Sequence, residues 1–188
     1  MRELVYYVAV SLDGRIAGPD RDFSAFPSEG DHLDMILREY CDALPAFALE
    51  AAGLTADLSR FDTVLMGWDT YAAGFPFGVR DPYPHLRQHV FSRADREVAT
   101  GITLGDDPVA VVRRLKAEQG GSGIYLCGGG QLASSLIDEI DRLVLKVNPV
   151  VMGDGRPVFA HGYDPKVFHL DASTSYRSGV VVNEYARR

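Results

Sequence analysis

The sequence predicts an α/β fold with a mostly parallel central sheet, helices on both faces and an antiparallel strand pair at the C-terminal edge. Apolar runs that suit buried strands alternate with helical patterns as far as about residue 140. Beyond that point, short strands follow one another with serine, threonine and glycine between them, as in an antiparallel pair. This succession is typical of a three-layer α/β domain.

Length and composition indicate one globular domain over residues 1–188. The chain is 46% hydrophobic and 24% charged, which is ordinary for a folded domain. Its formal charge of −7 provides no electrostatic footprint for nucleic acid or an anionic membrane. Cys41 and Cys127 suggest neither a disulfide framework nor a zinc site, so we expect no metal and a reducing compartment. Because no apolar run suits a signal peptide or a membrane span, we expect a cytoplasmic protein.

The first third of the chain contains one predicted strand and one predicted helix. Residues 4–10 are apolar and rich in valine and tyrosine, and the turn-rich segment 11–20 follows them. Its Asp13-Gly14 pair fits either a simple turn or a ligand site. A helix begins near His32, with Asp31 or a neighbour as its N-cap, and Pro45 ends it. Its predicted apolar face consists of Leu33, Ile36, Leu37 and Tyr40. Residues 46–56 fit a short helix or a loop.

The middle third alternates strands with turns. A strand over residues 62–67 ends at Gly67, and Thr70 follows at a helix start, where its hydroxyl suits a cap or a phosphate oxygen. The loop 75–84, rich in proline and aromatic residues, fits a surface connection, a lid or an interface. Strands are predicted over 88–92 and 102–104. A helix with Pro108 in its first turn follows, capped by Asp106 or Asp107, and ends at Gly120-Gly121.

The last third begins with the strand 124–127 and the glycine triplet Gly128, Gly129 and Gly130. The helix after it has apolar residues at helical spacing as far as Ile140. Glycines remove the side chains that keep a ligand away, and a helix start offers free N–H groups, so the triplet suits a phosphate cradle or merely a tight turn. Three strands follow, over residues 142–151, 166–171 and 179–185.

Polar or glycine residues stand at the ends of four predicted strands. Ligands bind beyond the carboxyl ends of the strands in such sheets. Glycine, hydroxyl or arginine groups lie after the strands at 16–18, 67–70, 92–93 and 128–132. Together they predict a dinucleotide-phosphate site, and Arg93 favours the 2′-phosphate of NADP over NAD.

Four ordered motifs carry a family resemblance. They are VAVSLDGRIA at 8–17, VLMGWDTY at 64–71, VFSR at 90–93 and LCGGGQL at 126–132. The chain resembles the dihydrofolate reductase-like superfamily, and most of all the C-terminal reductase domain of the bifunctional riboflavin-biosynthesis protein. The segment NPVVMGDGRPVF at 148–159 strengthens that likeness. The resemblance covers nearly the whole chain and implies the dihydrofolate reductase-like fold.

The resemblance implies a reductase that uses NADPH, and it assigns cofactor contacts by motif position. Ile16 and Ala17 would flank the nicotinamide, while Ser92 and Arg93 would hold the 2′-phosphate. Further contacts are expected from Ala9, Gly18, Gly67, Trp68, Thr70, Gly128, Gly129, Gly130, Gln131 and Leu132. In this family a cis peptide joins the first two glycines of the triplet, and homodimers are common.

The segment expected to bind the substrate differs from the pattern of this family. The reductase domain usually continues after its first loop into a Ser-x-Trp-Ile-Thr-like stretch, where this chain has residues 22–27. The family's fused deaminase is absent from this sequence. The reduced group needs a proton, and Asp31 with a raised pKa, Tyr40 or a trapped water are the candidates.

The motifs and the resemblance are consistent with three functions. The family suggests NADPH-dependent reduction of a small heterocycle, of the 5-amino-6-(5-phosphoribosylamino)uracil reductase type in riboflavin biosynthesis. The alternatives are dihydrofolate reduction and a protein that binds NADP without catalysis.

Overall fold

The computed structural model describes residues 1–187, which form ten strands and five α-helices. The strands are β1 (Leu4–Val10), β2 (Arg15–Ala17), β3 (Phe61–Gly67), β4 (Arg87–Phe91), β5 (Thr103–Gly105), β6 (Gly123–Gly128), β7 (Arg142–Val147), β8 (Arg156–Pro157), β9 (His169–Ser175) and β10 (Val181–Ala186). The helices are α1 (His32–Glu39), α2 (Ala46–Ala52), α3 (Trp68–Ala72), α4 (Pro108–Ala117) and α5 (Gly130–Ser135). One-turn 3₁₀ helices lie at Cys41–Ala43 and Phe75–Phe77.

Eight of the strands form one sheet in the order β5-β4-β3-β6-β1-β7-β10-β9. The pairs from β5 to β7 are all parallel, whereas β10 runs antiparallel to both β7 and β9. The predicted parallel sheet with an antiparallel C-terminal pair is thus confirmed. No helix among residues 1–187 is long and apolar enough to cross a membrane.

Helices cover both faces of this sheet. On one face, Met35 of α1 and Tyr71 of α3 join a core with Val64 and Met66 of β3. On the other face, side chains of α4 and α5 pack against Leu65 and its neighbours. Successive side chains of β3 point to opposite faces of the sheet, and both faces are covered. This explains why its sequence is a nearly continuous apolar run.

The first helix buries only part of the predicted face: Ile36 packs against the core as predicted, whereas Leu37 does not. His32 and Met35 are its buried residues, and Leu37 is 37% exposed. Tyr40, just past the helix, is fully buried and stacks on Tyr7 at 4.2 Å between ring centroids. The burial of His32, whose Nδ1 lies 3.0 Å from the Ser178 hydroxyl, extends the buried face beyond the apolar residues of the predicted pattern.

Several predicted elements are shorter in the structure: α1 ends at Glu39 before reaching Pro45, and α4 ends at Ala117 before reaching Gly120. The helix after the glycines ends at Ser135, and β7 ends at Val147 instead of Val151. The strand stops because Asn148 turns its amide onto the carbonyls of Lys146 and Val10, and Pro149 has no N–H for a ladder.

A small antiparallel ribbon had no counterpart in the sequence analysis. In it, β2 pairs with β8, so the loop after β1 lies against the segment after β7. Strands of three and two residues lack a detectable periodicity.

Candidate functional site

The carboxyl ends of four adjacent parallel strands form one edge of the sheet. In the order β4-β3-β6-β1, these strands end at Phe91, Gly67, Gly128 and Val10. Gly67 is in register with Phe91, and Met66 is in register with Gly128. The structure therefore brings together the four segments that the sequence analysis grouped.

Each glycine of the triplet has its own geometric reason. Gly128 has a φ of +131°, which side chains rarely adopt, and a cis peptide joins it to Gly129 as the resemblance implied. A Cβ on Gly129 would stand 3.7 Å from Ile16 Cδ1 and 3.9 Å from Thr70 Oγ1, so these two side chains border an open patch of backbone. A Cβ on Gly130 would lie 2.1 Å from the Pro157 carbonyl oxygen, so this glycine permits close packing of two backbones.

The start of α5 lies directly behind this patch. Gly129 is the N-cap, and no side chain caps the first turn. The predicted contact residues differ here: Gln131 is exposed, whereas Leu132 is buried and packs below Gly67, whose Cβ would be 3.9 Å from that of Leu132. The edge thus offers bare backbone and uncapped N–H groups, which suit an anionic group.

The loop that contains Ile16, Ala17 and Gly18 is held in place by Asp13. The Asp13 carboxylate accepts hydrogen bonds from the Ser11 hydroxyl (2.6 Å) and from the N–H groups of Met152 (3.0 Å) and Gly153 (2.7 Å). These bonds, first of all that from Ser11, lower the pKa of Asp13 to about 2. The Asp13-Gly14 turn is therefore a clamp between two loops.

Close backbone contact completes this clamp. Gly155 has a φ of +129°, and a Cβ there would lie 2.1 Å from the Ala17 carbonyl oxygen. No larger residue fits between the two segments, so the backbone of Gly155 packs directly against that of Ala17.

Trp68 and Thr70 lie at the start of α3, beyond Gly67. The Trp68 ring is half-buried and makes edge contacts with Tyr71 and Phe75 at 5.7 and 5.8 Å. The Arg96 guanidinium lies 4.9 Å from the centre of the same ring. Sequence analysis missed Arg96, because no pattern in the surrounding sequence indicates that its side chain contacts the Trp68 ring.

The Ser92-Arg93 pair follows β4 at the same edge. The Ser92 hydroxyl closes a local turn, since it donates to the Ala94 carbonyl and accepts from the Ala94 N–H at 2.9 and 3.1 Å. Arg93 is exposed and makes no ion pair within residues 1–187. Its charge is thus available to a ligand, whereas the serine hydroxyl is already engaged.

Asp31 does not have the environment expected of a proton donor. Its carboxylate accepts hydrogen bonds from the N–H groups of Arg177 (2.9 Å) and Ser178 (3.0 Å) in the turn between β9 and β10. These bonds, that from Arg177 foremost, lower its pKa to about 2, so the expectation of a raised pKa is wrong. The side chain does not cap α1 either, because both of its oxygens face that turn.

One group of potential metal ligands lies away from this edge. Cys41, Asp42 and Asp57 stand together, but Asp42 accepts hydrogen bonds from the N–H groups of Leu58, Arg60 and Phe61 at 2.9 to 3.1 Å. We interpret Asp42 as the structural anchor of the segment that leads into β3.

Comparison with known proteins gives consistent matches. The sequence model of the RibD C-terminal domain family matches residues 2–182. The uncharacterized protein YwjB of Bacillus subtilis is 31% identical over 165 residues, which are 84% of this chain and 83% of that protein. A protein of Shewanella sp. PV-4, provisionally named a riboflavin biosynthesis protein, has a TM-score of 0.73 and 24% identity, with 100% of this chain and 99% of that one covered.

Dihydrofolate reductase is also a structural neighbour. The enzyme from Enterococcus faecalis, solved with NADP(H), superposes with a TM-score of 0.67 at 14% identity, covering 99% of this chain and 96% of that one. At such identities the likeness shows the fold, which is the dihydrofolate reductase-like one predicted.

Proposed function

Because the chain belongs to the RibD C-terminal domain family, we propose that it is an NADPH-dependent reductase of a small heterocyclic substrate. The specific reaction we propose is of the 5-amino-6-(5-phosphoribosylamino)uracil reductase type, an activity named for a Thermotoga maritima structural neighbour. The observation that carries the proposal is the convergence of four strand ends on a bare glycine edge.

The residues at this edge fit a nicotinamide dinucleotide. The open backbone at Gly129, bordered by Ile16 and Thr70, leaves room for a pyrophosphate beside the uncapped start of α5. Arg93, free of ion pairs within the described residues, would bind the 2′-phosphate with its fork of donors. The clamped loop with Ile16 and Ala17 would lie against the nicotinamide ring.

In the proposed reaction, the cofactor and the protein have different roles. When bound, NADPH would supply the hydride, and the protein supplies binding, orientation and electrostatics. Asp31 is an unsuitable proton donor because its carboxylate is stabilised in the ionised form. The substrate would lie on the face of the sheet covered by α1, next to Ala9 of β1.

We also propose a homodimer. All seven residues of the edge strand β9 are exposed, including Leu170 at 55%, so neither face of this strand is covered by residues 1–187. A second copy that packs on β9 would cover it. Analytical ultracentrifugation should give a dimer for the native protein and a monomer for Leu170→Glu, with Leu37→Glu as an exposed control away from β9.

Cofactor binding tests the proposed function directly. Trp68 is the only tryptophan in the chain, so quenching of its fluorescence reports ligand at this edge. We expect NADPH to bind at least about tenfold more tightly than NADH, and Arg93→Ala to remove most of that preference. Arg113→Ala, which removes an exposed arginine on α4, is the matched control. Lack of NADPH binding at high micromolar concentration would contradict the proposal.

Turnover then separates the candidate reactions. Oxidation of NADPH is followed with 5-amino-6-(5-phosphoribosylamino)uracil and with dihydrofolate. Consumption with dihydrofolate that an antifolate blocks would favour the second reaction, which the dihydrofolate reductase neighbour motivates. Binding of NADPH without oxidation across pyrimidine, pterin and carbonyl panels would favour a non-catalytic NADP-binding protein.

A further inference from the structure

Lys146 differs from the other lysines of the chain in having no acidic partner. The chain has three lysines. The Lys116 Nζ lies 2.6 Å from an Asp141 oxygen, and the Lys166 Nζ lies 2.8 Å from an Asp138 oxygen. Lys146, on β7, makes no ion pair within residues 1–187; its Nζ instead lies 3.9 Å from the centre of the Tyr7 ring.

The Tyr7 ring is held rigidly beneath this ammonium. Tyr40 stacks on Tyr7 with an interplanar angle of 11° and a centroid distance of 4.2 Å, so Lys146 lies over the opposite face. The Tyr7 and Tyr40 hydroxyls are buried and have no hydrogen-bond partner among the described residues. Buried polar groups are nearly always paired in folded proteins, so this cluster has unused hydrogen-bonding capacity.

The position of Lys146 places it beside the proposed cofactor edge. It is in register with Ala9, near the carboxyl end of β1, and β1 lies between β7 and the strand that ends at Gly128. Its side chain extends on the same face of the sheet as Tyr7, the face that α1 covers. Lys146 is only partly buried as a residue, so a ligand can reach it.

The groups that face Lys146 are uncharged at neutral pH. Burial raises the pKa of Tyr7 on β1 and of the Cys127 thiol on β6, and burial together with the nearby Lys146 charge lowers the pKa of His32 on α1. On β10, the residue in register with Lys146 is the apolar Val182, and Glu184, two residues further along the same face, lies 3.9 Å from Arg142. Among the described residues the cluster therefore carries one positive charge without a counter-ion, and its complement is a ligand with one negative oxygen.

We propose that Lys146 is the substrate anchor of this site: its ammonium binds a negatively charged or strongly polarised ring oxygen of a flat heterocycle, such as the oxygen of a deprotonated imide. This inference rests on the proposed function, because it places the substrate beside the cofactor. It adds the residue that selects the substrate and the chemical class selected, a heterocyclic oxyanion over its neutral counterpart.

Barbiturate and uracil are a suitable pair of probes, since they are similar pyrimidines of which only barbiturate is an anion at neutral pH. Calorimetric titration of the NADPH-saturated protein should show barbiturate binding at least about tenfold more tightly than uracil, as expected for one added ion pair in a partly desolvated site. Lys146→Met should lose this preference, and Lys146→Arg should retain most of it. Lys166→Met removes an equal charge elsewhere and should change nothing.

A measurement on the unaltered protein gives the same test without relying on the fold of a variant. Burial lowers the pKa of Lys146 to about 8, so the protonated fraction falls from about 0.9 at pH 7 to about 0.1 at pH 9. The affinity for barbiturate should fall about tenfold over that range, while that for NADPH should change little.

The outcomes distinguish this inference from the proposed function. If NADPH binds but the protein shows no preference for barbiturate, or Lys146→Met leaves the preference intact, the anchor role is wrong and the proposed function stands. If NADPH itself does not bind, the proposed function fails, and this inference fails with it.

Discussion

Charged side chains pair with one another at the amino edge of the sheet, whereas some cations at the carboxyl edge lack acidic partners among the described residues. At the amino edge, where the parallel strands begin, a groove of about 1190 Å³ is lined by charged side chains that pair with one another. Arg2, 5% exposed, contacts both Asp62 and Glu118, and Lys116 pairs with Asp141. At the carboxyl edge, Arg93 and Lys146 have no acidic partner within residues 1–187.

From this difference we expect unpaired groups, rather than the size of a groove, to mark the ligand site. The charged side chains of the large groove are already paired, because its cations join the start of β1 to β3 and to the end of α4. The carboxyl edge presents bare backbone at the glycine triplet, and among residues 1–187 it leaves backbone donors and positive charge without partners. We therefore assign stability to the first edge and binding to the second.

Replacement of Arg2 should show the largest effect and tests the structural role of the amino edge. Arg2→Met leaves Asp62 and Glu118 without their buried partner, and we expect a loss of about 3 kcal/mol in the free energy of unfolding. Urea denaturation measures it, with exposed Arg113→Met as a control that should cost less than about 1 kcal/mol. NADPH affinity should not change; a large change would break the comparison.

Gly130→Ala should have the next largest effect, because it forces a methyl group against the Pro157 carbonyl oxygen. We expect a loss of about 2 kcal/mol in stability and, since the triplet must shift, weaker NADPH binding. Gly162→Ala, at a position with open space around it, is the matched control. Unchanged stability and cofactor binding in Gly130→Ala would show that this packing is not required.

Lys146→Met should change stability in the opposite direction to Arg2→Met. An unpaired ammonium with a folded pKa of about 8 costs stability below that pH, because the unfolded chain holds its proton more tightly. After allowing for partial exposure, we expect the variant to gain about 1 kcal/mol at pH 7. The gain should shrink as pH rises from 8 towards the unfolded pKa of about 10.4. Urea denaturation at pH 7 and pH 9.5 gives both values, and a loss of stability at pH 7 would contradict the account.

Asp31→Asn should have the smallest effect, a loss of stability at neutral pH that shrinks in acid. The folded pKa of Asp31 is lowered to about 2, so its contribution to stability is present above the unfolded pKa and is lost as pH falls through the folded one. The variant should therefore be less stable than the native protein at pH 7, and this difference should be smaller at pH 3; urea denaturation at the two pH values measures it. At neutral pH, NADPH oxidation should persist; its complete loss would restore Asp31 as a catalytic candidate.

Most of the fold, and the grouping of the strand ends at the candidate site, could be predicted from the sequence. Apolar runs and glycine turns are local signals, so the strands and the grouping of Gly67 with Gly128 followed from them. The clamp at Asp13 depends on N–H groups about 140 positions later in the chain, and no local pattern reports such a partner. Lys146 was visible as a lysine in an apolar strand, but only the structure shows that it lacks an acid and lies over Tyr7.

Hydrogen–deuterium exchange with and without NADPH tests the central claim most directly. We predict added protection in the segments 11–18, 67–72, 92–96 and 127–133, and none in the amino-edge segments 59–61 and 117–123. Protection of the amino-edge groove, with the carboxyl edge unchanged, would contradict the assignment of binding to the edge whose charges are unpaired.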